Sequence, residues 1–158
     1  RLFTSTVRRG SPDYLDPRLN CHSKLHEVVA LAQALEAGAD EALMLDVRGF
    51  VSTCNATNFF IIDRDGLHTA TGQYNLNGIT SELVCEVAEA AGIPVHRHAF
   101  SLTDVYAADE AFVTGTFGGL TPVHTIDGRT IGTGEQGPMT IRLRELYEAA
   151  IEADVAGR

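Results

Sequence analysis

The chain has 158 residues, 44% of them hydrophobic, and a formal net charge of −9 at pH 7. That length is sufficient for one domain with a buried core. The acidic charge and the lack of any basic block argue against nucleic acid and against an anionic membrane surface as partners. No apolar run is long enough to span a bilayer, and the start has neither a signal-peptide core nor an initiator methionine. We therefore expect a cytoplasmic protein, present here as a fragment or a processed piece.

Cysteine and histidine spacing gives no metal motif. Cys21, Cys54 and Cys85 are odd in number and unpatterned, which is typical of a reducing compartment without disulfides or a zinc site. His22 and His26 have the i, i+4 spacing of a metal-binding pair, but no acid or cysteine is spaced to complete a ligand set. The sequence therefore predicts no metal.

Hydrophobic spacing and turn residues divide the first half of the chain into elements. They predict a strand at 3–8, a loop or linker at 9–17, a helix at 23–37, and apolar strands at 42–46 and 59–62. One apolar face of the predicted helix is formed by Leu25, Val28, Val29, Ala32 and Leu35.

The second half continues the mixture of helices and strands. It predicts a helix at 81–91, a strand at 93–98, a short helix opened by a capping box at 101–104, a strand at 111–114, a hairpin of 121–126 with 129–131, and a last helix from Gly137. The fold class is therefore α+β, in one domain.

A loop before the helix at 81–91 has the features of an anion site. We call residues 75–80, with the sequence N-L-N-G-I-T, the cradle loop. The free N–H groups and the positive dipole end of a helix start favour an anion, and Gly78 lets an oxyanion approach the backbone. Thr80 and Ser81 add hydroxyl donors. An ordinary capped helix after a turn fits the same residues.

A second glycine-rich loop, T-G-T-F-G-G at 114–119, follows an apolar strand. Its small residues leave backbone N–H groups accessible to a ligand. Two such loops in one domain indicate a phosphate-bearing ligand or two anionic groups. The alternative is that the glycines only mark turns.

Six motifs occur along the chain in a recognisable order. They are G-F-V at 49–51 with N-F-F at 58–60, L-N-G-I-T at 76–80, A-D-E-A-F at 108–112, G-T at 115–116 with T-P-V at 121–123, D-G at 127–128, and G-P-M-T at 137–140. This order resembles the class IV, fold type IV, pyridoxal-phosphate aminotransferases. The family includes branched-chain and D-amino acid aminotransferases, R-selective amine transaminases and aminodeoxychorismate lyases.

The resemblance implies a fold and a domain organisation. It implies the C-terminal large domain of the D-amino acid aminotransferase-like fold, with mixed-sheet or barrel-like strands and flanking helices. Residues 1–19 would be an interdomain linker and entry strand, and residues 20–158 the domain that binds pyridoxal 5'-phosphate. The N-terminal domain is absent from this chain, and would come from the same full-length protein or from a separate chain. Family members are homodimers.

The resemblance also implies roles for individual residues. The backbone of Ile79 and Thr80 and the Thr80 hydroxyl would hold the cofactor phosphate at Gly78, with help from Thr116. Leu76 would pack on the pyridine ring. The backbone N–H groups of Thr116 and Phe117 would receive the substrate carboxylate.

Three positions depart from the family pattern. The acid that pairs with the pyridine nitrogen falls on Thr53, where a hydroxyl stabilises the ring charge less than a carboxylate would. Ser81 replaces the arginine of the signature. The Schiff-base lysine falls on Asn20, which cannot form an imine.

Lys24, the only lysine of the chain, lies four residues after Asn20. Our hypothesis is that Lys24 takes over the Schiff base and the proton transfer. The alternative is a surface lysine on a degenerate relative. Three functions follow: an aminotransferase acting between an amino acid, of branched-chain type as the commonest case, and a 2-oxo acid; an aminodeoxychorismate lyase-like enzyme; and a binding protein that has lost the lysine.

Overall fold

The structure is a computed structural model that describes residues 1–157. Its elements are β1 Leu2–Thr4, α1 Leu25–Glu36, β2 Glu41–Leu45, β3 Val51–Cys54, β4 Asn58–Asp63, β5 Gly66–Thr69, α2 Ile79–Ala90, β6 Val95–Arg97, α3 Leu102–Ala107, β7 Glu110–Gly115, β8 Gly119–Pro122, β9 Thr125–Ile126, β10 Arg129–Thr130 and α4 Pro138–Ala156. No helix within residues 1–157 is both long and apolar enough to cross a membrane.

The strands form two open five-stranded sheets. The order of the first sheet is β10-β9-β1-β2-β3, and β1 pairs in parallel with both β2 and β9. The order of the second sheet is β6-β5-β4-β7-β8, in which only the β5–β6 pair is parallel. The α+β class and the mixed sheets are confirmed, and residues 1–157 form no closed barrel.

Alternation along β4 places the core on both faces of the second sheet. Phe59 and Ile61 pack into a cluster shared with the first sheet, whereas Phe60 and Ile62 pack under α2 and α4. This is the two-residue period of a strand that is buried on both faces. Phe60 stacks on Phe112 of β7 with ring centroids 4.9 Å apart. The second sheet is therefore the central layer of the fold.

The orientation of α1 differs from the one that its hydrophobic pattern suggests. Its large apolar side chains are exposed, with Leu25 75% and Leu35 59% accessible, whereas Ala30 and Ala34 are fully buried. These alanines pack with Ala42 and other residues around β2. Small side chains allow the helix to lie close to the strand, so its larger apolar face points outward.

Several predicted strand boundaries are wrong for local reasons. The strand at 3–8 ends at Thr4, and the Val7 N–H donates to Ser5 Oγ at 3.0 Å, which competes with ladder pairing. The segment 121–126 divides into β8 and β9 after Pro122, which has no N–H to donate. The strands β3 and β5 went unpredicted, because Ser52, Thr53 and His68 are polar although buried.

Predicted turns and caps are confirmed. Asp127 and Gly128 both have positive φ and connect β9 to β10, as expected for this dipeptide in a hairpin. The Ser101 N–H donates to Asp104 Oδ2 at 2.7 Å in the capping box of α3. Glu110 has a structural role, because its carboxylate accepts the N–H groups of Met139 and Thr140 at the start of α4.

Candidate active site

A cavity of about 580 Å³ lies between the segment before α1, the first turns of α1 and the β3–β4 connection. Four of the residues singled out in the sequence line it: Asn20, Lys24, Thr53 and Leu76. They come from positions 20 to 76 of the chain. The fold therefore brings the only lysine of the chain to the same cavity as Asn20 and Thr53, the two positions at which the family resemblance leads us to expect a lysine and an acid.

Lys24 is one of the residues that line this cavity. It is the residue that precedes the first turn of α1, and its side chain is half exposed. Its Nζ is 4.0 Å from Oε2 of Glu27, one helical turn further on. Lys24 therefore lines the cavity and has a carboxylate neighbour for its amine.

Arg9 and Glu27 form an ion pair that the sequence did not predict. The Arg9 side chain is only 4% exposed, its Nη1 pairs with Glu27 Oε1, and its Nε donates to the Tyr74 carbonyl at 3.1 Å. Both residues line the cavity. The i, i+3 spacing of Lys24 and Glu27 is a signal in the sequence for the contact between them. The contact of Glu27 with Arg9, 18 positions earlier, is visible only in the tertiary structure.

The β3–β4 connection is held by its own hydrogen bonds. Thr53 is buried, and its Oγ1 donates to the Thr57 carbonyl at 2.7 Å. The Thr53 hydroxyl can therefore offer a ligand only its lone pairs. Glu41 accepts the Thr57 hydroxyl at 2.9 Å and the Ala56 N–H at 3.0 Å. Burial raises the pKa of Glu41 above its ordinary value, against the effect of these bonds.

The cradle loop meets the cavity at Asn58. α2 begins at Ile79 after Gly78, and no side chain caps its first turn. Asn58 lines the cavity, and its Nδ2 donates to the Leu76 carbonyl at 2.9 Å. A Cβ on Gly78 would lie 2.4 Å from Asn58 Oδ1, so only glycine fits there without movement. Thr80 and the highly exposed Ile79 do not line the cavity.

The second glycine-rich loop joins β7 to β8 and lies next to the same corner. A Cβ on Gly115 would be 3.3 Å from Thr57 Cγ2, and Thr57 lines the cavity. Thr116 and Phe117 are exposed and do not line it. The second loop therefore approaches the cavity at Thr57, whereas the cradle loop lines it directly with Leu76 and contacts Asn58.

The remaining candidates do not form a second site. His22 is exposed, and His26 Nε2 lies 3.9 Å from Glu27 Oε1. Within residues 1–157 no three histidine, cysteine, aspartate or glutamate side chains are arranged to hold a metal. Cys54 is 2% exposed, and burial raises the pKa of its thiol well above the ordinary value, as expected for a core cysteine.

The model of the family "Amino-transferase class IV" matches residues 1–126. The chain belongs to the class IV aminotransferase family. It is 41% identical over 147 residues to branched-chain-amino-acid aminotransferase-like protein 2 of Arabidopsis thaliana, a match that covers 93% of this chain and 26% of that protein. It is 40% identical over 149 residues to a putative branched-chain-amino-acid aminotransferase of Methanocaldococcus jannaschii, covering 94% of this chain and 52% of that protein.

A solved structure has the same fold. The branched-chain aminotransferase of the thermophilic archaeon Thermoproteus uzoniensis, determined with norvaline, is 33% identical, has a TM-score of 0.88 and covers 94% of this chain. The match spans 50% of that protein. The chain thus spans between about a quarter and about half the length of the relatives named here.

The residues around the cavity fit pyridoxal phosphate at two of its groups. The cradle loop offers a helix start with no side-chain cap, which suits a phosphate. Lys24 lines the cavity, and its amine suits the aldehyde. Thr53 departs from the expected acid, because it has a hydroxyl in place of a carboxylate. The hydrogen of this hydroxyl is donated to the Thr57 carbonyl. A hydroxyl lone pair stabilises a protonated pyridine less than a carboxylate does.

Proposed function

We propose that this chain is the cofactor-binding half of a pyridoxal-phosphate-dependent aminotransferase of the branched-chain type. The reaction would transfer an amino group between an amino acid and a 2-oxo acid. The observation that carries the proposal is that Lys24, the only lysine, lines the same cavity as Asn20, Thr53 and Leu76. Family membership and the relatives described above support the reaction class.

The proposed cofactor contacts follow from the loops at the cavity. The backbone of Ile79 and Thr80, with the Thr116 hydroxyl, would bind the phosphate next to Gly78. Leu76, which is 37% exposed and lines the cavity, would pack on the pyridine ring. Asn58 would support this arrangement through its bond to the Leu76 carbonyl.

The proposed chemistry is centred on Lys24. When bound, pyridoxal phosphate supplies an electron sink for negative charge that develops at the amino acid Cα. Lys24 Nζ would hold the cofactor and carry the proton removed from Cα. Thr116 and Phe117 would orient the substrate carboxylate through their backbone N–H groups. Thr53 would accept a hydrogen bond from the pyridine nitrogen.

The exposed face of α1 supports a larger assembly. Leu25, Val28 and Leu35 are each more than half exposed on one side of this helix, and Leu25 also lines the cavity. Such a patch is typical of a contact surface. We propose a homodimer, an N-terminal domain outside this chain, and residues 1–19 as linker and entry strand to the domain at 20–158. Three free cysteines are compatible with a cytoplasmic location.

The first experiment is borohydride reduction of the full-length protein after loading with pyridoxal phosphate and removal of the excess. Peptide mass spectrometry then locates the modified lysine, and transamination of branched-chain amino acids is measured in parallel. The expected result is a phosphopyridoxyl group on Lys24 and activity that is lost in Lys24→Arg. Arginine retains the charge but forms no imine with the aldehyde.

The result that overturns the proposal is retention of pyridoxal phosphate with no reducible adduct on Lys24 and no transamination. That outcome would favour the binding protein. Its supporting observations are Asn20 in place of the lysine and a Thr53 hydroxyl that is already engaged with Thr57.

A further inference from the structure

Three histidines lie together on one face of β5 and β6, away from the cavity. His68 and His96 are directly opposite each other in the parallel pair, and His98 follows two residues later. The ring centroid of His68 is 4.8 Å from that of His96 and 5.2 Å from that of His98. His68 is 8% exposed, whereas the other two are exposed. None of the three has a part in the proposed reaction.

The hydrogen bonds of His68 determine which of its nitrogens carry protons. Its Nε2 is 2.8 Å from Asp63 Oδ1, and its Nδ1 is 2.9 Å from His98 Nε2. An ionised carboxylate can only accept, so His68 Nε2 carries a hydrogen. In the neutral ring Nδ1 is then an acceptor, and His98 Nε2 must donate to it. Asp63, His68 and His98 thus form a continuous relay.

This relay accommodates one additional proton but not two. A single proton on either ring leaves one donor and one acceptor between His68 Nδ1 and His98 Nε2. A second proton makes both nitrogens donors at 2.9 Å, which removes the bond and places two cations side by side. Asp63 remains ionised while the histidines take up protons. Partial burial opposes its charge, but hydrogen bonds from His68 and from the turn backbone together lower the pKa of this carboxyl.

The strand β6, which contains His96 and ends one residue before His98, also contacts α2. Arg97 lies between the two histidines, and its Nη1 and Nη2 contact the two carboxylate oxygens of Glu82 at 2.9 and 2.8 Å. Glu82 belongs to the first turn of α2. β6 has three residues and pairs only with β5, so it is a weak edge unless side chains hold it.

The charged groups around the relay come from each neighbouring element. They are Asp63 and Asp65 of the β4–β5 turn, His96 and Arg97 of β6, Glu82 of α2, Asp104 of α3, and Asp46 with Arg48 across a narrow cleft beside His98. Asp46 is already paired with Arg48 at 2.8 Å, and Asp104 caps its own helix. Among these carboxylates only Asp63 is hydrogen-bonded to one of the two relay histidines. The relay therefore has one carboxylate for two imidazole rings.

We propose that Asp63, His68 and His98 form a proton-sensitive latch that holds β6, and through Arg97 the first turn of α2, against the second sheet. With at most one added proton the relay is intact and β6 stays paired. Uptake of the second proton breaks the relay and releases β6. The latch does not depend on which ligand the cavity binds.

The test is amide hydrogen exchange of the full-length protein between pH 7.5 and 5, corrected for the intrinsic exchange rate and carried out with a chelator present. The informative amides are those of Leu67 and His98, which donate to Pro94 and Thr69 across the β5–β6 pair. Below the pH of second protonation, we expect their opening constant to rise by up to about tenfold per pH unit, as for uptake of one proton.

Two variants separate the latch from general acid sensitivity. In His98→Gln the amide can donate or accept after a flip, so His68 can take a proton without losing its partner, and the opening constant should change less than about twofold. His22→Gln, an exposed histidine outside the cluster, should keep the wild-type slope. A wild-type opening constant that is independent of pH, or the same slope in His98→Gln as in His22→Gln, overturns the proposal.

A second measurement covers the case in which His98→Gln fails to fold. Ring ¹⁵N spectra of the wild-type protein report the protonation of His68 Nδ1 directly. We expect His68 and His98 to become doubly charged only together with loss of protection at β6. Two charged rings with β6 still protected overturn the latch.

Discussion

The contact between Gly78 and Asn58 gives a sharp test of how the cradle loop is held. The backbone at Gly78 has φ −72° and ψ 140°, which alanine also adopts, so strain in the backbone is not the issue. The obstacle is the Asn58 amide, whose Oδ1 would lie 2.4 Å from the new Cβ. In Gly78→Ala the Asn58 side chain must swing away and lose its bond to the Leu76 carbonyl.

The magnitude follows from that single bond. A neutral hydrogen bond contributes about 1 kcal/mol net to stability. Alanine also alters helix capping and the entropy of the unfolded chain at position 78, but these effects are the same whether Asn58 is present or not. In a double-mutant cycle with Asn58→Ala they cancel. The cycle should therefore leave a coupling free energy of about 1 kcal/mol, since the same bond cannot be lost twice.

The assay is urea unfolding of the wild type, both single variants and the double variant. The affinity for pyridoxamine phosphate, followed by calorimetry, reports the effect on the cradle loop. We expect Gly78→Ala to be clearly less damaging in the Asn58→Ala background than in the wild type. Additive free energies of unfolding, equal to within about 0.3 kcal/mol, would refute the reasoning that Asn58 is the obstacle.

Three further predictions concern carboxylates. Glu110→Ala should lower the free energy of unfolding by about 1–2 kcal/mol through loss of the cap on α4, whereas Glu110→Gln should lose less; denaturant titration decides, and equal losses would contradict a charge-assisted cap. Glu27→Gln leaves the buried Arg9 without a charged partner and should cost about 3 kcal/mol in the same measurement; a negligible loss would mean that water reaches Arg9. The pKa of Glu41 is raised in the folded protein, so the folded state binds the proton more tightly and stability falls as pH rises from 4.5 through the raised value; unfolding at several pH values should show this slope, and Glu41→Gln should remove it.

Features that depend on neighbours in the sequence were predicted well. The hairpin at Asp127 and Gly128, the capping box at Ser101 and the helix after the cradle loop all appear where the sequence places them. Each is determined within about four residues by backbone preference or by a side chain bonding to nearby backbone. The order of the six motifs along the chain then predicted the family, and this prediction was confirmed.

Features that depend on distant partners were not predicted. The sequence could not reveal that the apolar face of α1 points outward, because this depends on how closely β2 approaches Ala30 and Ala34. It could not pair Arg9 with Glu27, or bring His68 to Asp63 and His98.

The sequence by itself determined the family, the turns and the residue types available for chemistry. Only the tertiary structure decided which of those residues share a cavity, and that Lys24 lines the same cavity as Asn20, where the family resemblance leads us to expect the lysine. The physical reason is that side-chain contacts form between strands and helices that are far apart in the chain. Their register depends on the packing of the whole core rather than on any local segment.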